Sequence, residues 1–225
     1  NNVIPVSRID PVVKKFLAFP IYAAPNNPGA AFTEQFNFSK QASNGGNNDQ
    51  GNFRGDWNVS SKQRVFARYT RWKSMGQRIE PYGNGLFQAP ERFVTTQAVV
   101  ADTYSFNQTT IFDVRLGFTR WKYDRTPGTA GIDVPKATGL PSYYNGLDSV
   151  RGLTGSNTLP AMILTGYNQV ATGLLYGITN SYTIAPSLIK ILGRHTLKMG
   201  ADVRRMDFNY YQDNNAGGQF SFSNL

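Results

Sequence analysis

The chain has no cysteine and a single histidine, His195. The first absence excludes disulfide scaffolds, thiolate zinc sites, iron–sulfur clusters and cysteine nucleophiles. The second excludes a histidine-cluster metal site and leaves a hydrolytic triad without support. No phosphate loop, dinucleotide fingerprint or zinc motif is present, and no pair of carboxylates can be placed in one cleft, so glycosidase chemistry has no support. The expectation is a protein that is not an enzyme, with no catalytic residue, metal ligand or cofactor. Charge is also scarce: Asp, Glu, Lys and Arg make up 16% of the 225 residues, against about 25% in ordinary domains. No apolar run approaches the ~18 residues of a transmembrane helix. No signal peptide is visible, and the chain starts at Asn1 without an initiator methionine, which suggests a processed form or an excised fragment.

What is present is apolar and uncharged-polar. The hydrophobic share of 40% is close to that of folded domains, which argues against wholesale disorder. Aromatics reach 13%, with 22 Gly and 12 Pro. The formal net charge is +9. Such a balance suits a solvated basic surface, attraction to anionic lipid, or nucleic-acid binding. The segment Arg64-Val65-Phe66-Ala67-Arg68-Tyr69-Thr70-Arg71-Trp72-Lys73 interleaves basic and aromatic residues as a single-strand stacking platform can. The same residues fit a strand pattern that recurs along the chain, so no nucleic-acid partner is expected.

Helical periodicity is confined to Asp10–Phe19, where Asp10 can cap a helix with Pro11 at its first position. Period-2 alternation is widespread. Phe112, Val114, Leu116 and Phe118 oppose Asp113, Arg115, Gly117 and Thr119. Leu197, Met199, Ala201 and Val203 oppose Thr196, Lys198, Gly200, Asp202 and Arg204. Phe53, Trp57 and Val59 oppose Arg54, Asp56 and Asn58. Leu174, Tyr176, Ile178, Tyr182 and Ile184 form one face of a strand in which Asn180 is the exception. In Arg64–Thr70 the misfit is Phe66, and in Thr95–Phe106 Asp102 shares a face with Val100 and Tyr104. The apolar phase slips near Pro186, which suggests a bulge.

The connections alternate in length. Ser60-Ser61-Lys62-Gln63, Asn107-Gln108-Thr109 and Gly193-Arg194 are short links. Residues 74–93, 124–173 and 212–218 are long and rich in Gly, Pro, Asn and Ser. A loop near fifty residues is suspect inside a compact soluble domain. Short turns at one end and long loops at the other are ordinary for an outer-membrane barrel, whose strands alternate apolar outside with polar inside. The fold class expected is all-β, an antiparallel transmembrane β-barrel segment of about six to seven strands with long extracellular loops. One partial barrel domain spans residues 1–225, with a loop region at 1–50 (a small strand at Gln35–Lys40 included), two hairpins at 51–123, a long loop at 124–173, a third hairpin at 174–211 and the start of a next strand at 219–225. Lipid cannot satisfy open sheet edges, so a spanning sheet must close, and the segment is expected to belong to a larger barrel.

Short motifs carry a resemblance. The stretch Asn2-Val3-Ile4-Pro5-Val6-Ser7-Arg8-Ile9-Asp10-Pro11, then Pro25-Asn26-Asn27, Arg54-Gly55-Asp56-Trp57-Asn58, Arg64-Val65-Phe66-Ala67-Arg68-Tyr69, Arg115-Leu116-Gly117-Phe118-Thr119-Arg120 and Gly193-Arg194-His195-Thr196-Leu197-Lys198-Met199-Gly200 occur in order. This series resembles large TonB-dependent receptor-like proteins that carry a carboxypeptidase-regulatory-like domain, the Oar-like group. The resemblance implies a barrel of about 22 strands with a plugged lumen, in the bacterial outer membrane, that binds and takes up a nutrient. The partners it implies are outer-membrane lipid, a plug domain of the same full-length chain, the TonB complex reached through the chain's missing N-terminal part, and an unidentified nutrient ligand. Its runner-up is a soluble all-β carbohydrate- or peptide-binding module, whose apolar faces would pack on each other; a passive porin-like channel is a third reading.

Two groups of residues are candidates for ligand binding. Arg64, Arg68, Arg115, Lys198 and Arg204 would lie on the lumen face and attract an anion or the plug, or else bridge to Asp56, Asp113 and Asp202. Tyr82, Tyr143, Tyr144 and Tyr167 lie in the long loops and would stack on sugar or peptide, or else pack the loops themselves. His195 reads as a turn residue, and Arg54-Gly55-Asp56 as a chance match to an adhesion tripeptide within a strand.

Overall fold

The computed structural model describes residues 4–21, 23–31, 36–43, 45–77, 82–84, 86, 91–146, 157–164, 173–215 and 217–222. Helix α1 (Pro11–Ala18) forms where the Asp10 carboxylate accepts the Val12 N–H at 2.7 Å, with Pro11 at the first position. The strands are β1 (Gly45–Asn58), β2 (Gln63–Gln77), β3 (Glu91–Asn107) and β4 (Thr110–Arg125), then β5 (Ala161–Leu164), β6 (Leu174–Leu192), β7 (His195–Gly200), β8 (Val203–Asp213) and β9 (Gln219–Phe222). A short helix α2 (Val134–Thr138) lies between β4 and β5.

Seven strands form one antiparallel sheet in the order β1-β2-β3-β4-β6, with β7 and β8 both paired to β6. The hairpin links are tight. Asn107 accepts the Thr109 N–H through its side chain, and Gly193 takes φ 57 beyond Leu192, a conformation that glycine adopts without strain. All the long connections leave from the opposite end of the sheet. There the top row runs Glu91, Arg125, Leu175 and Gln212, with Arg125 paired to Glu91 at 3.5 Å.

Five expectations change. Strand β1 begins at Gly45, inside the stretch read as loop, because pairing with β2 extends up to Gly45↔Gln77. The partner of β6 is split into β7 and β8 and reaches Asp213. Pro186 causes the split without a bulge. Its carbonyl accepts the Ala201 N–H at 3.1 Å, but proline has no N–H to return, so the ladder lapses and resumes in the same register. Strand β9 is not the next strand of the sheet: it pairs in parallel with β5. Gly217 lies against the Thr158 and Leu159 backbone, where a Cβ would collide, and Ala161 N–H donates to the Gly218 carbonyl at 2.8 Å. The loop assembly therefore captures that segment. Residues 36–40 of the small strand expected near Gln35 form none, and Gln35 itself lies outside the described residues.

The packed core is in the loops. Phe16, Val134, Tyr144, Leu159 and Met162 are buried together, flanked by Val12, Phe19, Ile132 and Leu140. Ile21 packs with Phe19, Tyr82 and Leu86. The sheet is built the other way. Phe53, Leu116 and Val203 keep 70%, 50% and 60% of their surface exposed, so among the described residues nothing covers its apolar face.

Candidate functional site

Register and alternation assign every sheet side chain to one of two faces. On the first face, nearest the tight turns, successive rows read Gln63–Tyr104–Phe112–Leu188–Met199, Val65–Asp102–Val114–Pro186, Ala67–Val100–Leu116–Ile184–Val203 and Phe53–Tyr69–Ala98–Phe118–Tyr182, the last ending on β8 at Arg205, which pairs with Asp207. The last of these is an aromatic row, with the Phe118 and Tyr182 rings 5.3 Å apart. An apolar belt edged by aromatics is the lipid-facing surface of a spanning barrel. Asp102 is its one carboxylate and lies beside the turns, where its oxygen accepts from the Gln63 amide at 2.9 Å.

Beyond the aromatic row the same face turns polar. The next rows are Arg71–Thr96–Arg120–Asn180–Asp207 and Lys73–Val94–Lys122–Ile178–Asn209. Asn180, the exception in its strand's alternation, belongs to the first of them.

The second face is the candidate site. Its lower rows carry the charged residues, and the register places Arg64, Arg68, Arg115, Lys198 and Arg204 all on it. Arg54 and Arg64 converge on Asp56 at 2.7 and 3.3 Å. Arg115 pairs with Asp113 at 3.2 Å, and Asp113 also accepts the Thr103 hydroxyl at 2.8 Å. Arg204 approaches Asp202 at 4.0 Å. Among the described residues Arg68 and Lys198 enter no ion pair. Phe66, out of phase in the alternation, lies here because the Arg54 guanidinium stacks 4.3 Å above its ring.

The upper rows of this face are aromatic. Trp72, Trp121 and Phe208 share one row, and Phe93, Tyr123 and Tyr210 the next. Phe93 lies 4.5 Å from Tyr123, Trp121 and Tyr123 stack at 5.7 Å, and Phe208 stacks on Tyr210 at 5.5 Å. The Tyr210 and Trp121 rings both lie over Gly177, where a side chain would displace them. This shelf escaped the sequence reading. The available signal was a change of phase: the alternation continues through Arg71-Trp72-Lys73 and Arg120-Trp121-Lys122-Tyr123 with apolar and polar positions exchanged.

The loop tyrosines divide. Tyr82 meets Phe38 edge-on at 5.3 Å and packs on Ile21. Tyr144 is buried in the loop core; burial first, and then the Tyr143 hydroxyl, push its phenol up to about 12. Tyr143 stacks on Tyr144 at 4.7 Å and stays 63% exposed. Tyr167 lies outside the described residues. His195 opens β7 directly after the tight turn. Arg54 and Asp56 bond each other within β1. Among the described residues no three of His, Cys, Asp and Glu gather as metal ligands.

A family model described as outer membrane beta barrel domain matches residues 1–225. No curated protein and no solved structure matches the chain. The chain belongs to the outer membrane beta barrel domain family, and its place is the bacterial outer membrane.

Proposed function

For this outer-membrane barrel chain we propose ligand binding and uptake as part of a TonB-dependent receptor-like protein, with no catalytic step. The observation that carries the binding role is the second face. Charged rows near the turns lead into a shelf of rings near the long loops, and among the described residues Arg68 and Lys198 stay outside the ion-pair network. Rings offer stacking to sugar or peptide, and the cations attract an anion. Energy coupling through TonB rests on the ordered motif resemblance. The soluble-module reading loses ground because, among the described residues, nothing packs on the apolar face.

The test uses the full-length protein purified in detergent. It should be retained by the purified periplasmic domain of TonB, and it should show no steady ion conductance in planar bilayers. Failure of retention together with a steady open conductance would overturn the proposal in favour of a passive channel.

A further inference from the structure

The outward polar rows hold more cation than they need for internal pairing. Arg71 and Lys73 on β2, and Arg120 and Lys122 on β4, form two consecutive rows across three strands, with only Thr96 and Val94 between them. Three of the four are exposed and Lys122 is half-buried. Among the described residues none of them enters an ion pair. The carboxylates on the same rows are Asp49 and Asp207. Asp207 is taken by Arg205 at 3.0 Å, and Asp49 faces Lys73 in the register without bridging to it. In the row above, Asp124 is held by Arg92 at 3.9 Å. Lys122 lies 5.4 Å from the Tyr176 ring centroid, a contact that orients the ammonium without neutralising it.

Position gives this patch its meaning. The aromatic row Phe53–Tyr69–Ala98–Phe118–Tyr182 marks the edge of the hydrocarbon, because aromatic side chains settle at headgroup level. The cation rows begin one row further out, about 7 Å along the strand. Side chains of arginine and lysine length reach the headgroup layer from there. At that depth water is partly excluded and the charges are poorly screened. Guanidinium groups bind phosphate through paired N–H donors, and lysine adds a point charge.

We infer that Arg71, Lys73, Arg120 and Lys122 form an outward-facing site for the phosphate groups of an outer-leaflet lipid, whose chains lie on the apolar belt beneath. The site is on the face opposite the ligand-binding one, so it stands whether or not the uptake role holds.

The experiment is a titration of the full-length protein in zwitterionic detergent, read by native mass spectrometry. The probes are bisphosphorylated lipid A, phosphate-free lipid A with the same acyl chains, and inorganic phosphate alone. The wild type should bind the phosphorylated lipid about tenfold or more tightly than the phosphate-free one, and should not retain inorganic phosphate. The variant R71Q/K73Q/R120Q/K122Q should lose that discrimination while keeping heat-modifiable migration, the sign of a folded barrel. The variant K62Q/R194Q, which removes charge at the tight turns, should keep it. Equal binding of the two lipids by the wild type would overturn the inference. So would unchanged discrimination in the fourfold variant, or retention of inorganic phosphate as strong as that of the lipid.

Discussion

The two halves of β2 and of β4 obey the same alternation with opposite chemistry. In the half next to the tight turns, β4 puts Phe112, Val114, Leu116 and Phe118 outward and Asp113, Arg115, Gly117 and Thr119 inward. In the half next to the long loops, the same strand puts Arg120 and Lys122 outward and Trp121 and Tyr123 inward. Neither a bulge nor a shift of register intervenes within that span. A soluble sandwich would keep one apolar face along its whole length. A strand that leaves the hydrocarbon has no reason to. Crossing takes about 9–11 residues, and β2, β3, β4 and β6 run to 15, 17, 16 and 19. The surplus extends past the hydrocarbon edge, where the outer surface turns polar and the inner surface becomes the available place for rings.

The largest effect expected from breaking this contrast is an arginine at Leu116, which should cost about 2–4 kcal/mol if the position lies near the bilayer midplane. Thr96→Arg lies on the same face but in the first polar row, and should cost about 0–1 kcal/mol. Thr119→Arg lies on the second face, between Gln97 and Ser181, and should also be mild. Urea titration of the protein refolded into phospholipid vesicles measures all three. Equal costs for Leu116→Arg and Thr96→Arg would place the membrane edge wrongly, and equal costs for Leu116→Arg and Thr119→Arg would reverse the faces.

A smaller effect tests the upper half from inside. Gly177 is buried, and a Cβ there would meet Tyr210 at 3.1 Å and Trp121 at 3.6 Å. Gly177→Val should cost about 1–3 kcal/mol through overpacking and should alter the near-ultraviolet circular dichroism of the ring cluster. An unchanged spectrum with unchanged stability would mean that the shelf is loosely packed and yields.

The lower half was legible because both faces there have contrasting chemistry, and contrast is all that a period of two can report. The upper half was harder. Residues 45–50 hold no large apolar side chain, so the start of β1 reads as loop although it pairs fully with β2. Asp102 and Phe66 broke the pattern for reasons visible only across strands: one takes the Gln63 amide, the other the Arg54 guanidinium. The lumen cations could be placed from sequence because a strand position fixes a face. The tyrosines could not, because a loop position fixes nothing, and Tyr82 and Tyr144 are used for packing. The pairing of β9 with β5 joins segments some fifty residues apart, and a four-residue stretch such as Gln219–Phe222 carries no mark of its partner.

The loop assembly supplies the smallest expected effect, and it separates the loops from the sheet. Asp133 caps α2: its carboxylate accepts the Lys136 N–H at 3.2 Å and the Asn145 amide at 2.9 Å. The Asn145 bond first, and then the Lys136 N–H, hold its carboxyl below the ordinary value of 3.8. A carboxyl depressed in the folded state contributes its stabilisation fully above the unfolded value, and loses it as pH falls through the lower folded one. Acidification from pH 6 to below about 4 should therefore loosen residues 133–146, seen as lower amide protection factors there once the intrinsic slowing of exchange in acid is divided out. Asp133→Ala, which removes the capping acceptor, should show that lower protection already at pH 6 and little further change on acidification. At a constant pH 6, Asp133→Ala should leave amide protection in the lower halves of β3 and β4 unchanged. Parallel loosening of those strands would show that loops and sheet unfold as one unit.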